Sequence, residues 1–204
     1  MKNKFLNAIL NIAKKSKVQE TGTFTDSQET DSFTDSRDGK IYKTAKIGNQ
    51  IWMAENLAYK ASSGCWVYND DERNVATYGY LYDWETAKKV CPKGWHLPNK
   101  DEWQNLIDYL GGKDIAGGKL KSTSGWSLPK SGATNESGFS ALPGGFGDND
   151  GDFDCRGDLG YWWSATADNT SHALRWALVY HGVHVNCSSS KEDNRFSVRC
   201  LKDK

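Results

Sequence analysis

Residues 91–98 read Cys-Pro-Lys-Gly-Trp-His-Leu-Pro and run directly into Asn99-Lys100-Asp101-Glu102-Trp103, so a cysteine, a rigid turn and a helix start are joined without a spacer. Asn99 has the side-chain oxygen of an N-cap, and Glu102 stands three residues on, where it can close a capping box. Trp103, Leu106, Ile107 and Leu110 then fall on one helical stripe. Gly111-Gly112 supplies the left-handed residues that end such a helix. The spacing therefore predicts a helix over 100–110 that must lay its apolar stripe on something else, with a cysteine fixed just ahead of it.

The partner surface has to be aromatic. The 204-residue chain carries nine Trp, nine Tyr and seven Phe, and is long enough for one domain with a core and a tail. Lys plus Arg and Asp plus Glu are both 26, so no global positive field exists to recruit nucleic acid or an anionic membrane. Strand patterns occur at Ile41 to Ile47, Gln50 to Met53, Ala173 to Tyr180, Val183 to Asn186 and Arg195 to Leu201. In the last of these, alternation turns Phe196, Val198 and Cys200 inward and Arg195, Ser197 and Arg199 outward. Helices are read at Asp83 to Val90 and Lys100 to Leu110, with a short turn near Ile115 to Leu120. The stretch from Ser122 to Asn169 is Gly-, Ser-, Asn- and Asp-rich, a length of loop usually tied to function or disorder.

Further segments recur in order: Asp38 to Tyr42, Gly48 to Leu57 (Gly-Asn-Gln-Ile-Trp-Met-Ala-Glu-Asn-Leu), Tyr78 to Trp84, Tyr161 to Thr166 (Tyr-Trp-Trp-Ser-Ala-Thr) and Phe196 to Cys200 (Phe-Ser-Val-Arg-Cys). With Cys91 to Pro98, this series resembles the Fibrobacter succinogenes major paralogous domain family over about residues 38–202. The Gly94-to-Trp103 segment is also similar to formylglycine-generating-enzyme-like domains. The resemblance implies an α+β, C-type lectin-like fold: two short helices packed on small antiparallel sheets, with a long irregular loop region. It further implies a cell-surface or secreted setting.

The five cysteines, Cys65, Cys91, Cys155, Cys187 and Cys200, form no Cys-x-x-Cys pair, which argues against a zinc ribbon or a thioredoxin-like site. The lectin-like resemblance implies a bridge from Cys91 to Cys200. Cys155 and Cys187 are candidates for a second bridge. Cys65 is then left as a free thiol, because Val75 stands where family members often place its partner. The alternative is five reduced, buried thiols.

Ahead of the domain, residues 1–15 place Phe5, Leu6, Ile9, Ile12 and Ala13 among lysines, which fits either a degenerate signal peptide or an amphipathic helix lying on a membrane or partner. No stretch reaches transmembrane length. Residues 16–37 are almost wholly polar, with Phe24-Thr25-Asp26-Ser27 repeated as Phe33-Thr34-Asp35-Ser36, and read as a disordered linker ahead of a domain at 38–204.

Chemistry has few candidate seats. Asp148, Asp150, Asp152 and Asp154 alternate through a Gly-rich turn, which reads either as a calcium loop or as a solvated acidic turn. It is not an EF-hand, since the Gly offset is wrong and the closing Glu is missing. His181, His184 and Cys187 could be written as a zinc triad, but a turn at Gly182 sends the histidines apart. Ser164 and Ser197 lack a nucleophile elbow. Rings at Trp52, Trp84, Trp95, Trp103, Trp163 and Trp176 are expected in the core. Trp66 and Trp126, flanked by Gly and Ser, are expected to be exposed platforms for sugar faces, with Tyr161 and Trp162 as further ligand contacts. The expected function is a non-catalytic surface or secreted binding module for a glycan or cell-surface polymer, with calcium as its only candidate cofactor. Two alternatives stand: an oxidase of the formylglycine-generating type, requiring two close reactive thiols, and a structural surface-coat domain without a ligand.

Overall fold

A computed structural model describes residues 30–129 and 132–204. The N-terminal segment 1–15, the linker over 16–29 and the first Phe-Thr-Asp-Ser copy lie outside the described residues.

The chain is mostly sheet with a few short helices. One antiparallel sheet has the order β1-β2-β3-β13-β6, from β1 (Thr30–Thr34), β2 (Ile41–Ile47), β3 (Gln50–Met53), β13 (Leu201–Lys202) and β6 (Trp95–His96). The other has the order β11-β10-β9-β12-β5-β4, from β11 (Asn186–Lys191), β10 (His172–Val179), β9 (Leu159–Ala167), β12 (Phe196–Ser197), β5 (Leu81–Tyr82) and β4 (Cys65–Trp66). Its pairings are antiparallel except β12 on β9. A small hairpin joins β7 (Phe146–Gly147) to β8 (Phe153–Asp154). Helices are α1 (Val75–Tyr78), α2 (Trp84–Ala87), α3 (Lys100–Tyr109) and α4 (Ala116–Leu120).

The capping box forms as the sequence requires. Glu102 N–H donates to Asn99 Oδ1 at 3.0 Å, and Asn99 N–H donates to Glu102 Oε2 at 2.9 Å. Gly111 and Gly112, at φ +103° and +96°, close α3 by donating back to Asp108 and Ile107 carbonyls. The stripe buries Trp103, Leu106 and Ile107 completely, and Trp103 meets Trp52 at 4.9 Å and Trp176 at 5.9 Å between ring centroids. A second core holds Tyr42, Met53, Leu57, Tyr82, Trp163 and Phe196. Asp83 caps α2, which is shorter than the 83–90 helix predicted.

The last stretch differs most from its sequence pattern. The chain leaves the six-stranded sheet after Ser197, crosses through Val198-Arg199-Cys200, and enters the five-stranded sheet at Leu201. Both of its sides are therefore covered, and Ser197 and Arg199 are buried rather than outward. Cys200 is bonded to Cys91, tying this crossing strand to the segment ahead of α3.

Of the predicted strand at 183–186 only Asn186 is strand, as the first residue of β11, whose polar Asn-Cys-Ser-Ser-Ser-Lys sequence gives no alternation because it is an exposed edge. Part of the predicted irregular stretch is β9, and Trp126, Phe139 and Ala141 are buried within the remainder. The predicted linker also ends too late. Residues 30–34 form β1, Asp35 is buried, and Arg37 is ion-paired to it at 2.6 Å. Phe33, on one edge strand, stacks on Trp95 of the opposite edge strand with centroids 4.4 Å apart. Four strand spacings would put these edges about 19 Å apart in a flat sheet. The sheet must therefore curl around this face.

Candidate functional site

A cleft of about 510 Å³ is walled by Lys43 of β2, Glu55 and Asn56 after β3, Thr77 of α1, and Asn135 and Ser140 from the loop after α4. Each wall is fixed from below. Asn56 donates its amide to the Tyr78 carbonyl at 2.9 Å and to Ser197 Oγ at 3.2 Å, while its Oδ1 accepts from Trp162 Nε1 at 2.9 Å and Arg199 Nη2 at 2.8 Å. The Arg199 guanidinium also donates to the carbonyls of Met53, Phe139 and Ser140 and lies 4.3 Å from the Phe139 ring centroid. Two buried side chains thus tie together β3, the end of α1 and the 139–140 loop.

The loop wall is held locally as well. Asn135 and Ser140 both take left-handed backbone, at φ +54° each, a conformation that costs a non-glycine residue free energy unless it is compensated. Compensation comes from each other: Asn135 Oδ1 accepts from Ser140 N–H at 2.8 Å, and its amide donates to Ser140 Oγ at 3.0 Å. Opposite, Glu55 Oε2 accepts from Lys43 N–H at 2.7 Å, leaving the Lys43 ammonium to face solvent.

Arg199 is a buried cation held by main-chain and amide oxygens. Burial pulls its pKa down to about 9, opposed by the field of Glu55. It therefore stays protonated at neutral pH, and its five donors are matched to fixed acceptors.

The residues expected to bind ligand are dispersed. Trp126 is buried, 5% exposed, with Nε1 donating to the Ala141 carbonyl, so it is core and not a platform. Trp162 is 1% exposed and belongs to the network under the cleft. Tyr161 is half-buried against Phe146 and Phe196, with the Arg175 guanidinium 4.2 Å from its centroid. Trp66 is half-buried with Arg195 over its ring at 4.2 Å. Trp95, expected in the core, is partly buried and packs against the edge of the second core.

In the acidic turn, Asp148 Oδ1 accepts from the N–H groups of Asp150, Gly151 and Asp152, at 2.9 to 3.0 Å. Asp154 Oδ1 likewise accepts from Cys155 N–H. Among the described residues no group of three or more His, Cys, Asp or Glu side chains is gathered as a metal ion would require. Neither the Asp148–Asp154 set nor His181, His184 and Cys187 is brought together.

Cys65, Cys155 and Cys187 are free, so the second bridge, from Cys155 to Cys187, is not formed. Cys65 on β4 and Cys187 on β11 lie on opposite edge strands of the six-stranded sheet. Burial pushes all three thiols up, away from the reactive thiolate.

Asn56, Ser197 and Arg199 were not singled out as site residues from the sequence, and Trp162, expected to touch ligand, instead donates to Asn56 beneath the cleft. Each nevertheless lies in one of the recurring motifs, and three of those motifs meet at this one network. The sequence matches the family described as the Fibrobacter succinogenes major domain over residues 45–202. No curated protein and no solved structure matches it.

Proposed function

We propose, from the premise that the chain belongs to the Fibrobacter succinogenes major domain family, that it is a non-catalytic binding module of the cell exterior whose polar cleft seats a surface glycan. The observation that carries this reading is the cleft itself. Ammonium, carboxylate, amide and hydroxyl groups from separate segments line one concavity whose walls are pinned by Asn56 and Arg199. A polyhydroxylated ligand needs donors and acceptors held at fixed positions before it arrives, because ordering them on binding costs affinity.

The lining supports binding over hydrolysis. Among the described residues its only carboxylate is Glu55, whereas glycoside cleavage uses a pair of acids across the bond, and none of those lining it is His or Cys. The Cys91–Cys200 disulfide supports placement outside the reducing cytoplasm. The capped helix on a sheet, the final strand shared by two sheets and the bridge joining them support the C-type lectin-like reading of the architecture. An experimental structure with a different strand order would remove that reading.

The test is a glycan array probed with the full chain and with Thr77→Arg. Thr77 is an exposed wall residue outside the network, so arginine there obstructs the cleft while leaving its floor intact. Glycan binding that disappears in Thr77→Arg supports the assignment; binding unchanged by the substitution refutes it.

A further inference from the structure

Alternation along β2 sends Lys43 toward the cleft and Thr44 and Lys46 to the opposite face. On that second face a cavity of about 110 Å³ is lined by Phe33, Thr44, Lys46, Ile51, Trp95 and Lys202. A neighbouring cavity of about 230 Å³ runs around the rim of the sheet, between the β2–β3 turn, α3 and the C-terminal segment. Ile51 and Lys202 line both cavities, so the two make one trough.

Three observations define what fits it. First, Trp95 is a partly buried ring held in place by its stack on Phe33, so the part of it that lines the trough is an apolar surface with little freedom left to lose. Second, the rim carries the exposed amides of Asn49 and Asn105 beside Gln50, whose amide is committed to the Glu102 carbonyl at 3.0 Å. Third, the charges are sorted. Glu102 and Asp203 each close on a ring nitrogen of His96, at 3.0 and 2.6 Å, and Asp31 accepts from Ser32 N–H at 2.8 Å. Lys202 and Lys204 are exposed and take part in none of the ion pairs among the described residues. The trough therefore carries the exposed ammonium groups of Lys202 and Lys204, while two of its carboxylates, Glu102 and Asp203, are turned onto His96.

From this arrangement we infer that the trough is a second binding site, for a linear carboxylated polysaccharide. One sugar lays its apolar face on Trp95, and the carboxylate of a neighbouring unit meets Lys202 and Lys204, with Asn49 and Asn105 hydrogen-bonding its hydroxyls. The site is separate from the cleft and differs from it in ligand chemistry.

Affinity electrophoresis of the full chain through gels containing polygalacturonate, or its fully methyl-esterified form, tests this. The two polymers share a backbone and differ in charge. Retardation by polygalacturonate is expected, weaker by about tenfold or more on the ester and in Lys202→Gln/Lys204→Gln, as loss of charge-assisted contacts implies. Those lysines are exposed, so the double variant should fold; Trp95→Phe keeps a ring and should lose less. Thr77→Arg should bind polygalacturonate as well as the unmodified chain, which separates this site from the cleft. No retardation, equal retardation by the ester, or full affinity in the double lysine variant would each overturn the inference.

Discussion

Replacing Arg199 with methionine removes the cation that joins the walls of the cleft, and the structure says which of two opposing effects wins. Burying a guanidinium is costly, and substituting apolar residues for buried ion pairs is often neutral or stabilising because both partners leave together. Here the acceptors are the carbonyls of Met53, Phe139 and Ser140, which no side-chain change can remove. Asn56 Oδ1 keeps Trp162 as a donor, but the Phe139 and Ser140 carbonyls lose theirs. An unsatisfied buried acceptor costs about 1–3 kcal/mol, and the lost stack on Phe139 adds about 1 kcal/mol. After allowance for the desolvation that is no longer incurred, a net loss of about 3 kcal/mol is expected. Urea unfolding followed by tryptophan fluorescence should show it as a midpoint lower by roughly 1–2 M at an unchanged slope. A loss under about 1 kcal/mol, or a gain in stability, would mean that the guanidinium does not hold these walls.

Three further outcomes follow from the same geometry. Burial opposes the charge on His96, but its hydrogen bonds to the Asp203 and Glu102 carboxylates override it and raise its pKa. A raised folded pKa stabilises fully below the unfolded value of about 6.5 and stops doing so as pH rises through the folded value. The Tm difference between wild type and His96→Gln should thus be larger near pH 5.5 than near pH 9, though worth less than about 1 kcal/mol for this half-exposed group; a pH-independent difference would contradict the clamp. Opening the Cys91–Cys200 bridge, which spans 109 residues, should cost about 5 kcal/mol by chain entropy, read as the midpoint difference between the unmodified chain and Cys91→Ala/Cys200→Ala; a cost below about 1 kcal/mol would rule out a structural bridge. Trp126→Ala should lose about 3–5 kcal/mol as a core truncation in chemical denaturation, whereas a platform ring on the surface would lose under about 0.5 kcal/mol.

What could be read from the sequence was local. The box at Asn99 and Glu102, the stripe from Trp103 and the β2–β3 hairpin each depend on neighbours a few residues apart, so spacing alone reveals them. Gly48, at φ +61° in the first position of the two-residue hairpin turn, supplies the positive φ that such a turn needs. Arg199 was misplaced because its burial follows from the strand crossing between two sheets, and alternation assumes one sheet with one wet face. Trp126 was misplaced because its polar neighbours conceal a distant cover. β1 was missed because Thr30–Thr34 is polar, and what holds it, the stack of Phe33 on Trp95, comes from the far edge of a curled sheet. The cleft was hidden for a related reason: Asn56 and Arg199 are 143 residues apart.

The most direct test of the cleft as ligand seat is amide chemical-shift mapping of the isotope-labelled full chain titrated with neutral cell-surface oligosaccharides. The proposal predicts saturable shifts clustered at Lys43, Glu55 and Asn56, Val75 to Gly79, and Asn135 to Ser140. Shifts confined to other surfaces, or none at all, would contradict it.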